Sequence, residues 1–507
     1  MCGICGIINK DRSLVDEIAL KRMTGVIGYR GPDGQATYTD GHMGFGHRRL
    51  SIIDLSDNAR QPMTNENGSV VIVFNGMIYN YKELTTSLRA KGHIFKSNSD
   101  TESIVHLYEE EGADCVKLLR GMFAFAIWDN NKKELILARD RVGEKPLVYA
   151  ESGNSFLFAS EPKSIIASGF LKAEIDPCAL PYLFSYKNVP HPRTMFEGIY
   201  KLPPASIMVV NNTGSKMFKY WKPQVNQKID LDLEGAVTKL SFLIDESVKD
   251  RLISDVPVGA FLSGGVDSSI VAYFVNNNTT GMLKAFSVGF DGLGKGDAEF
   301  INAERVARKY NMEHHKISVD SNIIDEIRQV MWHYDEPFAI PEALVNMKFC
   351  REVRKSVKAV LVGDGADELF AGYSGYALWK ILGDIDSFFL KHGIARSLSF
   401  PALSFLSKIF ASSSIRMLTL TSKEKRPYLK RRVANRVENL IFSEELKRLI
   451  KGTDVGLTLE EIYAENSPAH LLDGILYTDL VYNDTHGVTV FSDVSGMSNG
   501  LEIRAPF

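Results

Sequence analysis

Gly259-Ala-Phe-Leu-Ser-Gly-Gly-Val-Asp-Ser-Ser269, just past the middle of the chain, decides the fold of the residues around it. An apolar run from Val256 to Leu262 stops at Ser263-Gly264-Gly265, and a helical pattern resumes at Val266. This predicts a buried strand, a glycine turn and a helix N-terminus carrying the hydroxyls of Ser263, Ser268 and Ser269. Unpaired backbone N–H groups at a helix N-terminus, with the positive end of the helix dipole, suit a phosphate. Glycines allow positive φ and let the backbone come close to a ligand. Asp267 cannot add to an anion hole unless a cation sits beside it, so it is a candidate magnesium ligand.

Elements alternate on both sides of this stretch. A helix is expected from about Leu233 to Ile253, with Val237, Leu240, Leu243, Ile244 and Val248 at helical spacing. Strands are expected at Lys284–Phe290, His314–Val319 and Val357–Val362. Helices fall between them, over Ala298–Tyr310, Ile323–Tyr334 and Glu342–Ser356. Such alternation predicts a parallel sheet with helices on both faces and ligands at the carboxyl ends of its strands. The last strand enters Gly363-Asp364-Gly365-Ala366-Asp367-Glu368, where crowded carboxylates repel one another unless a cation or proton lies between them.

A chain of 507 residues is too long for one ordinary core and implies two or three domains. A net charge of −3 gives no electrostatic case for nucleic acid as a partner. The five cysteines (Cys2, Cys5, Cys115, Cys178, Cys350) are odd in number and scattered, which fits neither a disulfide framework nor a zinc motif. A reducing, cytoplasmic location is expected. No apolar run reaches the roughly 18 residues of a membrane span, and the N-terminus lacks a signal-peptide pattern.

The N-terminal half reads differently. Strands arrive in runs (Val70–Phe74, Met122–Trp128, Glu134–Arg139, Phe156–Ser160) with a few helices between, which predicts stacked sheets with helices outside. Asn80 is expected to cap one helix, and Ser99 or Asp100 the next. Cys2 directly after the initiator methionine has a specific chemical use. A small second residue permits removal of Met1, and the freed α-amine, with a pKa near 8, can serve as base for its own thiol. Asn211-Asn212-Thr213-Gly214-Ser215 reads as a hairpin-type turn, and Pro223–Asp232 as polar linker. The expected organisation is a first domain at 2–215, a linker at 216–232 and a second domain at 233–507.

The order Cys2-Gly3-Ile4, Gly46-His47-Arg48-Arg49-Leu50-Ser51-Ile52-Ile53-Asp54, Asn75-Gly76 and Ser99-Asp100 resembles the N-terminal-nucleophile glutaminase of the class II glutamine amidotransferases, over roughly residues 2–210. The resemblance implies an αββα sandwich with Cys2 as nucleophile toward the glutamine side-chain amide. It also implies that Asn75 and the Gly76 N–H form the oxyanion hole, and that Arg49 pairs with the substrate α-carboxylate and Asp100 with its α-ammonium. Leu50, Ile52, Ile53 and residue 77 would line the pocket. The family pattern reads Asn-Gly-Glu at 75–77, and here the last position is Met77.

Ser263-Gly-Gly-Val-Asp-Ser-Ser269 resembles the pyrophosphate loop of the ATP pyrophosphatases. Together with Ser287-Val288-Gly289-Phe290 and Gly363–Tyr373 it resembles the synthetase domain of the asparagine synthetase B family, an α/β fold of the adenine nucleotide alpha-hydrolase type. The resemblance implies that ATP adenylates the side-chain carboxylate of aspartate with release of pyrophosphate, and that ammonia then displaces AMP. Asp267 and Asp367 would hold Mg2+. Ser263, Gly264, Gly265, Ser268 and Ser269 would cradle phosphates, with Leu262, Val288, Val362, Gly363 and Tyr373 around the nucleotide. Asp364 would assist amide formation. Asp335-Glu336-Pro337 and Asp493–Phe507 also match family motifs. The family places a lysine two residues before that last aspartate, where this chain has Phe491. Its members also continue past Pro506-Phe507, so a further segment is expected. Residues 388–410 read as helical core, and the basic run at 423–432 as a solvated helix face.

The leading reading is a two-site amidotransferase in which glutamine supplies ammonia inside the protein to an ATP-activated aspartate. A second reading keeps the machinery for another carboxylate, such as a sugar acid or metabolite, and a third is a protein that only binds nucleotide or a partner. The partners expected are small molecules, with neither nucleic acid nor membrane insertion; a homodimer is one assembly the resemblance allows.

Overall fold

A computed structural model describes residues 1–290, 296–319, 326–337, 341–391, 433–466, 468 and 470–507. The basic run at 423–432 and most of the apolar stretch at 388–410 lie outside them.

The first half contains β1 (Gly3–Asn9), β2 (Gly34–Asp40), β3 (Met43–Arg49), β4 (Met63–Thr64), β5 (Val70–Ile78) and β6 (Gly121–Asp129). It continues with β7 (Glu134–Arg139), β8 (Val148–Ser152), β9 (Ser155–Ala159), β10 (Ile199–Lys201), β11 (Ser206–Asn211) and β12 (Gly214–Lys219). They form two six-stranded sheets, ordered β10-β8-β9-β1-β3-β2 and β12-β11-β7-β6-β5-β4, antiparallel throughout. Every residue of β1 is buried because both faces of its sheet are covered. Ile4 and Ile8 join Phe45, Val73, Trp128 and Phe158 between the sheets. Cys5 and Ile7, pointing the other way as period-2 alternation requires, meet α1 (Glu17–Val26) and α4 (Pro162–Ser168). The second sheet is covered by α2 (Tyr81–Ala90) and α3 (Asp100–Glu111), with Ile104 and Leu107 packed over Phe74 and Phe125. The layers are the expected αββα. Gly6 makes room for the Phe158 ring of the neighbouring strand β9, since a Cβ there would lie 2.4 Å from it.

Some local expectations change. β5 does not stop at Phe74 but runs through Asn75-Gly76-Met77, because these residues pair in register with Met122–Ala124. Asn80 stands at the start of α2, but its side chain bridges Leu118 O and Arg120 N instead of capping the helix. Ser99, not Asp100, caps α3. β12 pairs with β11, so the sheet reaches Lys219, past the expected edge at residue 215.

The second half adds α5 (Leu180–Tyr186) at the junction, then α6 (Leu233–Leu252), α7 (Val266–Asn278), α8 (Gly296–Lys309), α9 (Ile327–Tyr334) and α10 (Glu342–Val353). Its sheet is five-stranded, with β13 (Val258–Phe261), β14 (Lys284–Phe290), β15 (Glu313–Val319), β16 (Ala359–Leu361) and β17 (Glu502–Arg504) in the order β15-β14-β13-β16-β17. All its pairings are parallel, as the alternation predicts. α6, α7 and α8 cover one face and α10 the other. On α6, Ile244 and Val248 are buried in this core and Leu252 packs against it, while Val237, Leu240 and Leu243 are exposed. No helix among the described residues is long and apolar enough to cross a membrane.

The two halves meet through buried charges. Arg30, fully buried, pairs with Glu161 at 2.8 Å and with Asp493 of the second half at 2.7 Å. Asp335-Glu336 is part of this joint, because Asp335 reaches Lys163 at 3.1 Å and Glu336 reaches Lys201 at 2.6 Å. Removing one member of such a pair costs about 3–5 kcal/mol, since the other charge is left buried alone.

Candidate active sites

The first site is a small cavity beneath β5. Cys2, Arg49, Leu50, Ile52, Ile53, Gly76, Met77 and Asp100 all line it. Asn75 stands behind Cys2, whose backbone N–H donates to Asn75 Oδ1 at 2.8 Å. Asn75 is fully buried, yet its Nδ2 has no hydrogen-bond partner. Burying an amide donor in this way costs about 1–3 kcal/mol, which an oxyanion placed there would recover. Gly76 is required by close approach, since a Cβ would lie 2.1 Å from Met122 O.

Electrostatics in this cavity are set by burial. It pushes the Cys2 thiol pKa up, against the pull of the nearby N-terminal ammonium. It likewise pushes Asp100 up to about 6, with Glu502 adding to the rise and the Ile78 N–H, at 3.0 Å, opposing it. The Arg49 fork is engaged by the carbonyls of Ser56 and Asp54. Met77 is buried among Leu50, Phe74 and Met122 and brings no charge.

Glu502 also lines this cavity, although it belongs to β17 of the second half. Its carboxylate lies 2.6 Å from the Met1 ammonium and 2.7 Å from Arg504 Nε. Burial favours its neutral form, but the two cations outweigh burial and hold its pKa at about 2. Arg30 Nε, in turn, donates to Cys2 O at 3.1 Å. The sequence reading missed both Glu502 and Arg30 as parts of this site.

The second site is a cavity of about 330 Å³ at the carboxyl ends of β13, β14 and β16. Leu262, Ser263, Gly265, Asp267, Ser268, Val288, Val362, Gly363 and Tyr373 line it, together with Asp364 and Asp367. Gly264 and Ser269 do not. Gly264 has φ +81 and packs on α8, where a Cβ would lie 2.7 Å from Ala303 N. Ser269 Oγ turns back to donate to Gly265 O at 2.6 Å. Gly363 brings the two loops together, since a Cβ there would lie 2.9 Å from Ser268 N. Burial, and then the neighbouring Asp267, raise the pKa of Asp367. Two carboxylates that repel in this way, beside a helix N-terminus, have the chemistry to hold a divalent cation.

Asp364 connects this cavity to another. It lines the nucleotide-sized pocket and also a cavity of about 360 Å³ between the halves, whose walls include Glu144, Lys145, Trp221, Leu369 and Ile503. Burial raises the pKa of Asp364, against a hydrogen bond from Ser492 Oγ. Burial, and then Asp140, push Glu144 up to about 7. Ile503 faces this middle cavity and its neighbour Glu502 lines the first one, so a single edge strand separates them. Phe491 packs beside Val330, Tyr334 and Met347.

Known proteins match both halves. A model described as glutamine amidotransferase domain matches residues 1–221, and one described as asparagine synthase matches residues 239–507. Asparagine synthetase [glutamine-hydrolyzing] 1 of Bacillus subtilis is 33% identical, over 100% of this chain and 79% of its own length. Asparagine synthetase [glutamine-hydrolyzing] 3 of the same organism is 34% identical, over 77% of this chain and 65% of its own. Amidase chry2 of Gibberella zeae is 33% identical, over 74% of this chain and 60% of its own. The chain thus spans less than two thirds of the latter two relatives. A sandwich of two antiparallel sheets holding an unpartnered buried Asn75 amide beside Cys2, joined to a parallel sheet, agrees with both matches: the chain belongs to the asparagine synthase family and carries a glutamine amidotransferase domain.

Proposed function

We propose that the chain is a glutamine- and ATP-dependent amide-forming ligase whose acceptor is aspartate and whose product is asparagine. The observation that carries this reading is the position of Asp364, which lines the pocket beneath the Ser263–Ser269 loop on one side and the cavity between the two halves on the other. The two activities divide at the polar segment 220–232.

After removal of Met1, the Cys2 amine takes the proton of its own thiol, and the thiolate attacks the side-chain carbonyl of glutamine. Charge developing on the carbonyl oxygen meets Asn75 Nδ2 and the Gly76 N–H. The intermediate collapses as the protonated Cys2 amine returns its proton to the departing nitrogen, which leaves as ammonia, and water then releases glutamate from the thioester. Ammonia passes β17 and the middle cavity toward Asp364. In the second site an oxygen of the acceptor carboxylate attacks the α-phosphorus of ATP, and pyrophosphate leaves. This step is needed because a free carboxylate has no competent leaving group. Ammonia adds to the mixed anhydride, AMP departs, and Asp364 accepts the proton that the new amide must lose; its burial-raised proton affinity suits the task. Ser263, Gly265 and Ser268, which line this cavity, would bind phosphate oxygens. Asp267 and Asp367 would hold Mg2+, which offsets the charge of the departing pyrophosphate.

Incubation with glutamine, ATP, Mg2+ and aspartate, with glutamate, pyrophosphate and asparagine measured separately, tests this reading. Asparagine and aspartate-dependent pyrophosphate are expected. Glutamate without aspartate-dependent pyrophosphate would move the assignment to another acceptor, and neither product would leave a binding protein. The second of these outcomes has a specific motive. Phe491 stands where the family has a lysine, and its side chain lies in an apolar cluster, so no cation from that position reaches an adenylate. A relative of similar identity is also named an amidase.

Two further results are expected. Because Asp100 titrates at about 6 and must be ionised to hold an ammonium, log kcat/KM for glutamine should steepen its fall below about pH 6. Asp100→Asn should remove that break and lower kcat/KM at every pH. Met77→Glu should lower the glutamine KM about tenfold, the effect of one charged hydrogen bond of ~1.5 kcal/mol; an unchanged KM would count against this placement of the substrate ammonium. The free cysteines suit a reducing compartment, and a cytoplasmic location belongs to the proposal.

A further inference from the structure

The glutaminase half carries a second cluster of chemically active side chains, on the far part of α3. His93, after α2, and His106, on α3, have ring centroids 4.8 Å apart. Their Nδ1 atoms converge on one oxygen, Glu109 Oε2, at 3.6 Å from His93 and 2.8 Å from His106. Glu66 Oε2, from the turn between β4 and β5, lies 4.0 Å from His106 Nδ1. Each ring turns its other nitrogen toward a further carboxylate. His93 Nε2 is 3.0 Å from Glu110 Oε1, and His106 Nε2 is 3.8 Å from Glu102 Oε1. Asn65 Nδ2 donates to the second oxygen of Glu109 at 2.8 Å and fixes that carboxylate in place.

We propose that Glu66, His93, His106 and Glu109 bind one divalent transition-metal ion of the zinc class. Ligand atoms about 2.0–2.2 Å from a tetrahedral zinc stand roughly 3.4 Å apart, and the separations above straddle that value. The donor set of imidazole nitrogens and carboxylate oxygens suits zinc, cobalt or nickel better than magnesium, which takes oxygen ligands. A carboxylate on the far nitrogen holds a metal-binding imidazole in the tautomer whose other nitrogen is free to ligate, and Glu110 and Glu102 occupy those positions. His106 is 1% exposed and its Nε2 makes no hydrogen bond, so the ring stands ready to be drawn the short distance toward Glu102. Charge points the same way. Glu66, Glu102, Glu109 and Glu110 surround two imidazoles, with Lys91 paired to Glu110 at 2.6 Å as the nearby fixed cation.

A metal here ties together the β4–β5 turn, the segment between α2 and α3, and α3 itself. The first turn of α3 carries Asp100, so the ion would stiffen one wall of the glutamine cavity without touching the substrate. Its role is structural.

The test uses the full chain carrying Cys2→Ala, so that no nucleophile thiolate competes, stripped with chelator and titrated with Co2+. One equivalent with the visible absorption of tetrahedral cobalt is expected, displaced by Zn2+, with a raised Tm on zinc addition. Glu109→Gln and His93→Asn should each weaken binding about tenfold or more and abolish the Tm response. His93 is at the surface side of the cluster, so its replacement leaves the buried His106 packing in place. No saturable cobalt spectrum, or a spectrum unchanged in both variants, would overturn the proposal and leave the histidines as hydrogen-bonding partners of the glutamates.

Discussion

Cys2→Ala is expected to lower glutamine-dependent amide formation by about a thousandfold or more, while formation from added ammonium stays within a factor of about two. The size of the loss follows from the chemistry, since no other group in the cavity can form the thioester. The preservation of the second activity follows from the contacts. Apart from a weak Sγ–H bond to Leu50 O at 4.0 Å, Cys2 is held through its backbone, whose N–H donates to Asn75 Oδ1 and whose carbonyl accepts from Arg30 Nε. Replacing the thiol by a methyl group leaves both, and leaves the Arg30–Asp493 pair that joins the halves. Separate assays of glutamate, pyrophosphate and amide product check this. Equal loss of both activities would show that one site serves both reactions.

Asp364→Asn carries the second large effect. The change is isosteric, and Ser492 Oγ can still donate to the amide oxygen that replaces its present acceptor. The loops should therefore keep their shape, and acceptor-dependent exchange of pyrophosphate into ATP should stay within an order of magnitude. Amide formation should fall by roughly 10²–10⁴-fold, the range of a lost general base. Exchange and amide formation falling together would place Asp364 in nucleotide binding instead.

The fold of both halves was legible because its signals are local. A strand, a glycine turn and a helix N-terminus are contiguous in Gly259–Ser269, and the double burial of β1 shows as an unbroken apolar run. The glutaminase pocket was legible through short motifs, each placing its residues on one strand or at one helix start. Two motif residues also serve the fold: Gly264 is needed for its φ and its packing on α8, and Ser269 bonds to its own helix. What escaped reading is the joint between the halves. Glu502 meets the N-terminus of the unprocessed chain across 501 residues, and Arg30 and Asp493, 463 apart, pair whether or not Met1 is removed. Nothing in the local pattern of either partner points to the other. A glutamate in an edge strand reads as solvated until another domain covers it. The Met77 and Phe491 departures were visible in the sequence, and the structure adds that both side chains are absorbed into apolar clusters.

The central claim is that the two sites exchange ammonia through the interior, past β17 to Asp364. Glutamine labelled with 15N in its side-chain amide, supplied with ATP, Mg2+, acceptor and an excess of unlabelled ammonium, tests it most directly. The account predicts that the product amide keeps most of the glutamine label at a pH where the glutaminase is active. Label diluted to the ratio of the free ammonium pool would contradict it.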